Sequence, residues 1–135
     1  MESQLNLKPM LDSDGNAIYP NIDDDLVFVG VVTNEVGDTL DIIDKYLEFS
    51  FKTSTREIFT CILNETPTFE ADVHSKNARL DADGQTVTLS IPSNTFSTGG
   101  SLYTRIASRT ENTDFDDNFQ HSYSNWKKSD ILIID

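Results

Sequence analysis

The stretch from Leu47 to Leu63 constrains the fold more than any other part of the chain. It alternates apolar and polar side chains, breaks at Thr53-Ser54-Thr55, and then alternates again. Leu47, Phe49 and Phe51 fall on one face, with Glu48, Ser50 and Lys52 on the other. After the break, Phe59, Cys61 and Leu63 oppose Ile58, Thr60 and Ile62. A period of two places successive side chains on opposite faces of a pleated strand, so this stretch predicts a β-hairpin. Its apolar face needs a cover, as in a sandwich of two sheets.

Other segments extend the β reading. Leu26 to Val32 is rich in β-branched residues and predicts a strand buried on both faces, with Gly30 at a bulge or a close backbone approach. Val87, Leu89 and Ile91 alternate with polar residues after the turn Asp81-Ala82-Asp83-Gly84, which Ala78-Arg79-Leu80 precedes. Pro92 to Gly100 reads as a loop. Ser101 to Arg109 reads as a strand, with Leu102, Thr104 and Ile106 on one side. Ile131 to Ile134 forms a last strand without polar relief.

Three stretches leave alternatives or edges. Leu40, Ile42, Ile43 and Tyr46 have spacings that permit helical turns capped by Asp38, and a strand pair around Gly37 fits equally. Thr68 to His74, beyond Pro67, suits an edge strand. Phe115, Phe119 and Tyr123 recur every fourth residue, which suits a helical turn or a loop pinned by its aromatics. Strands at intervals of about 8–15 residues, with turn signals between them, predict an all-β antiparallel sandwich of immunoglobulin or jelly-roll type. Residues 22–135 make this domain. Residues 1–21, with Pro9, Gly15 and Pro20, hold neither period and read as an extended N-terminal arm.

The 135 residues are enough to bury roughly two-thirds of the unfolded surface without staples. Twenty-three acidic residues against ten basic ones give a net charge of −13. Such a charge repels phosphate backbones and anionic lipid, so neither direct nucleic-acid binding nor membrane docking is expected. An acidic inhibitor that imitates DNA is a minor alternative. Cys61 is the single cysteine, which excludes an intramolecular disulfide and a four-cysteine zinc site. Its phase between Phe59 and Leu63 predicts a small buried hydrophobe. The opening Met1-Glu2-Ser3-Gln4 shows no signal peptide, so synthesis in a cytoplasm without export is expected.

The chemical motifs are incomplete. Asp12-Ser13-Asp14-Gly15-Asn16 resembles the start of a calcium loop, but Ala17 stands where that loop needs glycine and Pro20 follows. A solvated turn is the expectation there, as at Asp81 and Asp83 and at Asp114, Asp116 and Asp117. His74 and His121 lie in no metal-ligand pattern, and the Gly-x-Ser-x-Gly elbow is missing. Thr98-Gly99-Gly100-Ser101 has no phosphate-binding lysine. We therefore assign no catalytic residue, no metal and no cofactor. Tyr103, Tyr123 and Trp126, in or beside polar segments, are the candidate receptor or glycan contacts. For Trp126 the competing expectation is an aromatic that closes one end of the core.

The order Leu47-Glu48-Phe49-Ser50-Phe51-Lys52-Thr53, Phe59-Thr60-Cys61, Ala78-Arg79-Leu80 and Val87-Thr88-Leu89 carries a resemblance. With Leu102-Tyr103-Thr104-Arg105-Ile106, the Asp-rich aromatic stretch and Ser129-Asp130-Ile131-Leu132-Ile133, the chain resembles small β-sandwich modules of tailed-phage virions, especially of phages of Bacteroides-type hosts. The likeness spans roughly Leu26 to Asp135 and rests on pattern and order. It implies a non-enzymatic head decoration, head fibre or baseplate adaptor in the virion, with other virion proteins as partners and a homo-oligomeric state. No fibre repeat or coiled coil is visible. In this reading Leu5, Leu7, Met10, Leu11, Ile18 and Tyr19 are the anchors by which the arm grips a neighbour. The alternative is a carbohydrate- or receptor-binding module.

Overall fold

A computed structural model describes residues 3–43, 45–53, 57–63 and 77–135. Its strands are β1 (Gln4–Leu7), β2 (Leu26–Thr33), β3 (Leu47–Lys52), β4 (Phe59–Leu63), β5 (Ala78–Leu80), β6 (Thr86–Ile91), β7 (Gly100–Glu111), β8 (Phe119–Tyr123) and β9 (Lys127–Ile133). There is no helix among the described residues. The expected hairpin is β3 with β4, in register from Leu47 opposite Leu63 to Phe51 opposite Phe59. Leu47, Phe49, Phe51, Cys61 and Leu63 are all buried, as the alternation requires. The Ser54–Thr55 part of its turn and the expected Thr68–His74 strand lie outside the described residues.

The strands form two antiparallel sheets. One has the order β1-β2-β6-β5, and the other β4-β3-β7-β8 with β9 also on β7. That is the immunoglobulin arrangement: β1, β2, β6 and β5 take the A, B, E and D places, and β4, β3 and β7 take C′, C and F. The G place is divided. β8 pairs with the Ala107–Glu111 half of β7, and β9 with its Gly100–Thr104 half beyond an irregularity near Ser101. Because β3 holds the other side of β7 over Tyr103–Ser108, β8 and β9 share one edge.

The core is aromatic and aliphatic, and no disulfide ties the two layers. Phe28 from the first sheet meets Phe51 from the second, with ring centroids 6.4 Å apart. Phe49, Phe96, Leu89, Leu102 and Ile133 fill the space around them. Side chains also join the layers at their edges. The Cys61 thiol donates to the Ser90 carbonyl at 3.8 Å, and Lys127 Nζ donates to Asn6 Oδ1.

Several local expectations are corrected. β2 is buried on one face only, with Val27 half exposed, because a two-layer sandwich gives each sheet a solvent side. The terminal Ile131–Ile134 run alternates for the same reason: Ile131 and Ile133 are buried, Leu132 and Ile134 exposed. The described residues between β2 and β3 form no helix. Asn34 Oδ1 accepts from the backbone of Val36 and Asp38, Gly37 adopts φ 90°, and Thr33 bridges Thr39. A turn around Gly37 closed by one isolated bridge forms there, neither a helix nor a second strand. The stretch from Thr110 to Ser124 is the β7–β8 hairpin, with Asn118 at φ 68° in its turn, and Phe115 is exposed instead of pinning a loop.

The segment expected as an arm contains β1, which lies antiparallel to β2. Gly30 admits this strand closely, since a Cβ there would sit 2.6 Å from the Asn6 carbonyl oxygen. Leu5 is part of the buried core, and Leu7 and Met10 pack against it.

Core and surface positions on the strands are thus sharply distinct. Phe49→Ala is expected to cost about 3–5 kcal/mol in urea unfolding, while Val27→Ala costs under about 1 kcal/mol. Equal costs for the two would contradict the inward and outward assignment.

Candidate functional site

The outward positions of β3 and β7 build an unusual surface. Lys52 lies opposite Tyr103, and Ser50 opposite Arg105. Ala107, also outward, lies opposite Tyr123 of β8. Ser50 and Ala107 are nevertheless buried, at 6% and 2% exposure. Long side chains that lie flat across the sheet account for this. Arg105 stacks on Tyr123, 4.7 Å from the ring centroid, and on Trp126 at 4.6 Å. Lys52 Nζ sits 4.3 Å from the Trp126 centroid. Further along, Arg109 lies between Tyr46 at 3.7 Å and Phe119 at 3.9 Å. A cation over a π-face is held electrostatically, so these rings orient the positive groups.

This geometry brings two of the three candidate contact aromatics together through Arg105. Tyr123 is exposed and Trp126 half-buried. Tyr103 is on the same face, beside Lys52 and opposite Lys128 of β9. Sequence reasoning missed Arg105, Arg109, Lys52 and Tyr46. The signal was the odd-numbered phase of β7, which sets Tyr103, Arg105 and Arg109 on one face.

The expected arm anchors divide into two groups. Leu5, Leu7 and Met10 belong to the core or its margin, whereas Leu11, Ile18 and Tyr19 are exposed. The exposed group sits on a fastened loop. Leu11 bridges Ala17, the Ile18 N–H donates to the Met10 carbonyl, and Asp12 Oδ1 accepts from the N–H groups of Asp14 and Asn16. The Asp12 carboxylate thus serves its own turn, as expected of a solvated loop.

One end of the sandwich gathers the β2–β3 connection, the β5–β6 turn and the β7–β8 turn. The Ile42 N–H donates to the Gly84 carbonyl there. Val36, Ile43 and Phe115 are exposed at that end. An open cleft of about 350 Å³ lies below, lined by Leu47, Ile106, Ser108, Ser122, Tyr123, Ser124 and Asn125 among others.

No protein-family model and no curated protein matches this chain.

The titrating groups serve local structure. Thr86 and Gln85 N–H groups hold the Asp83 carboxyl below its usual range. Asp117 is lowered by its hydrogen bond with His121, whose Nε2 lies 2.8 Å from Oδ2, and by the Phe119 N–H. Ser97, through hydroxyl and N–H, lowers Glu57. Among the described residues no three His, Cys, Asp or Glu side chains are grouped to hold a metal ion. Burial pushes the Cys61 thiol up to about 12, the reverse of what a nucleophile needs. His74 lies outside the described residues.

Two pH-linked outcomes follow. A carboxylate with a lowered folded-state value stabilises above the unfolded value near 4 and loses this as pH falls through the folded value. Unfolding stability should therefore drop as pH falls below about 4, with a shallower drop for Asp83→Asn. For Cys61 the sign is opposite. Its raised value stabilises below the unfolded value near 8.5, and the contribution declines as pH rises from there towards 12. A disulfide-exchange reagent at pH 8 should label Cys61 only after denaturant is added. Rapid labelling of the folded protein would contradict its burial.

Proposed function

We propose that this chain works by binding, as a non-enzymatic structural or attachment subunit of a tailed-phage virion. Its sequence resemblance to virion sandwich modules supports the phage setting. One observation carries the attachment role: a fastened loop holds Leu11, Ile18 and Tyr19 out to solvent. Apolar side chains on a pre-ordered loop lose little entropy on docking, so they favour an interface. Neighbouring virion proteins are the partners in this reading, with other copies of the chain beside them.

The location of Leu5 decides how this is tested. Removing residues 1–21 would strip β1 from the sheet and confound attachment with folding. The better variant combines Leu11→Asp, Ile18→Asp and Tyr19→Ala. It should keep the wild-type circular dichroism and melting transition while incorporation into particles falls by about tenfold or more. Normal incorporation would refute the attachment role.

A carbohydrate- or receptor-binding role is the second reading. The cleft beside Tyr123 favours it, because hydroxyl and amide groups from Ser108, Ser122, Ser124 and Asn125 surround an apolar floor of Leu47 and Ile106.

A further inference from the structure

The Arg105 guanidinium leaves a buried donor unsatisfied. Its Nε–H is buried without an acceptor, the one such side-chain atom among the described residues. Arg105 and Lys52 form no ion pair among the described residues, although the chain carries 23 acidic side chains. Glu48, the acidic residue of β3, pairs with neither.

The rings beside Arg105 already carry cations. Arg105 and Lys52 both lie within 4.6 Å of the Trp126 centroid, and Arg105 also covers Tyr123. What this face presents is therefore oriented positive charge, and not a bare π-surface for a sugar ring. Trp, Tyr and Arg are also the residues that dominate protein interface energetics.

We infer that the outer face of the five-stranded sheet, centred on Arg105, docks a carboxylate-bearing segment of a partner protein. The carboxylate takes the terminal guanidinium N–H groups and Lys52, while Trp126 holds both cations and Tyr123 holds Arg105. Charge complementarity selects this occupant: the patch is positive on a chain of net charge −13. At physiological salt the Debye length is about 8 Å, so repulsion from distant acidic residues is screened while contact pairs persist. The inference rests on the reading of the chain as a binding module. Its test reads Trp126, not particle incorporation, so the two can fail separately.

Trp126 is the single tryptophan, so its fluorescence reports on this face. The folded chain is titrated with hexaglutamate and poly-L-glutamate at about 0.15 M salt, with polygalacturonate as the acidic-sugar arm. The expected result is a saturable change with the glutamate probes that weakens at higher salt. Arg105→Gln should reduce that affinity by about tenfold, with Arg105→Lys in between. Val27→Ala, on the outer face of the other sheet, should leave it unchanged. No response to either glutamate probe would overturn the inference. So would a response to polygalacturonate alone, or equal affinity in Arg105→Gln with its melting transition intact.

Discussion

The contact between the two sheets is the constraint on which the rest depends. With one cysteine there is no bridge between the layers, so apolar burial must hold them together. Phe28 and Phe51 meet across the interface, while Phe49, Leu89 and Leu102 exclude water around them. Each strand contributes alternate side chains to this layer. The remaining side chains must then face solvent, and that obligation creates every surface of interest.

On the second sheet those outward side chains are long, flat and cationic or aromatic. They cover Ser50 and Ala107, which would otherwise lie bare at outward positions. A sheet face clothed in this way presents groups already oriented by their neighbours. The N-terminal loop orients its side chains by another route. Its Asp12 carboxylate accepts two backbone N–H groups, leaving Leu11, Ile18 and Tyr19 held outward. Both features suit contact between preformed surfaces.

Much of the fold was legible where one face is dry and the other wet. Leu47–Leu63 and Val87–Ile91 show their strands directly, since a shift of one residue would turn every apolar side chain to water. Legibility failed where local spacing had two solutions. Phe115, Phe119 and Tyr123 recur at the helical interval, yet Phe119 and Tyr123 sit on β8 and Phe115 caps the turn. Asn118 with positive φ closes that turn, and its type was readable only as a general turn former. The site was partly legible. Tyr103, Tyr123 and Trp126 stood out by chemistry, but the arginine that joins two of them did not, because Arg105 meets Tyr123 only after β8 folds back on β7.

The sequence by itself determined the sandwich class, the buried state of Cys61 and the main inward positions. These follow from period and composition, which act along the chain. Tertiary structure alone decided that the strand order is the immunoglobulin one, that residues 4–7 complete a sheet, and that cations and rings interleave on one outer face. Those outcomes depend on which distant strands lie side by side. That choice is made by packing whole faces together, and no single stretch of sequence encodes it.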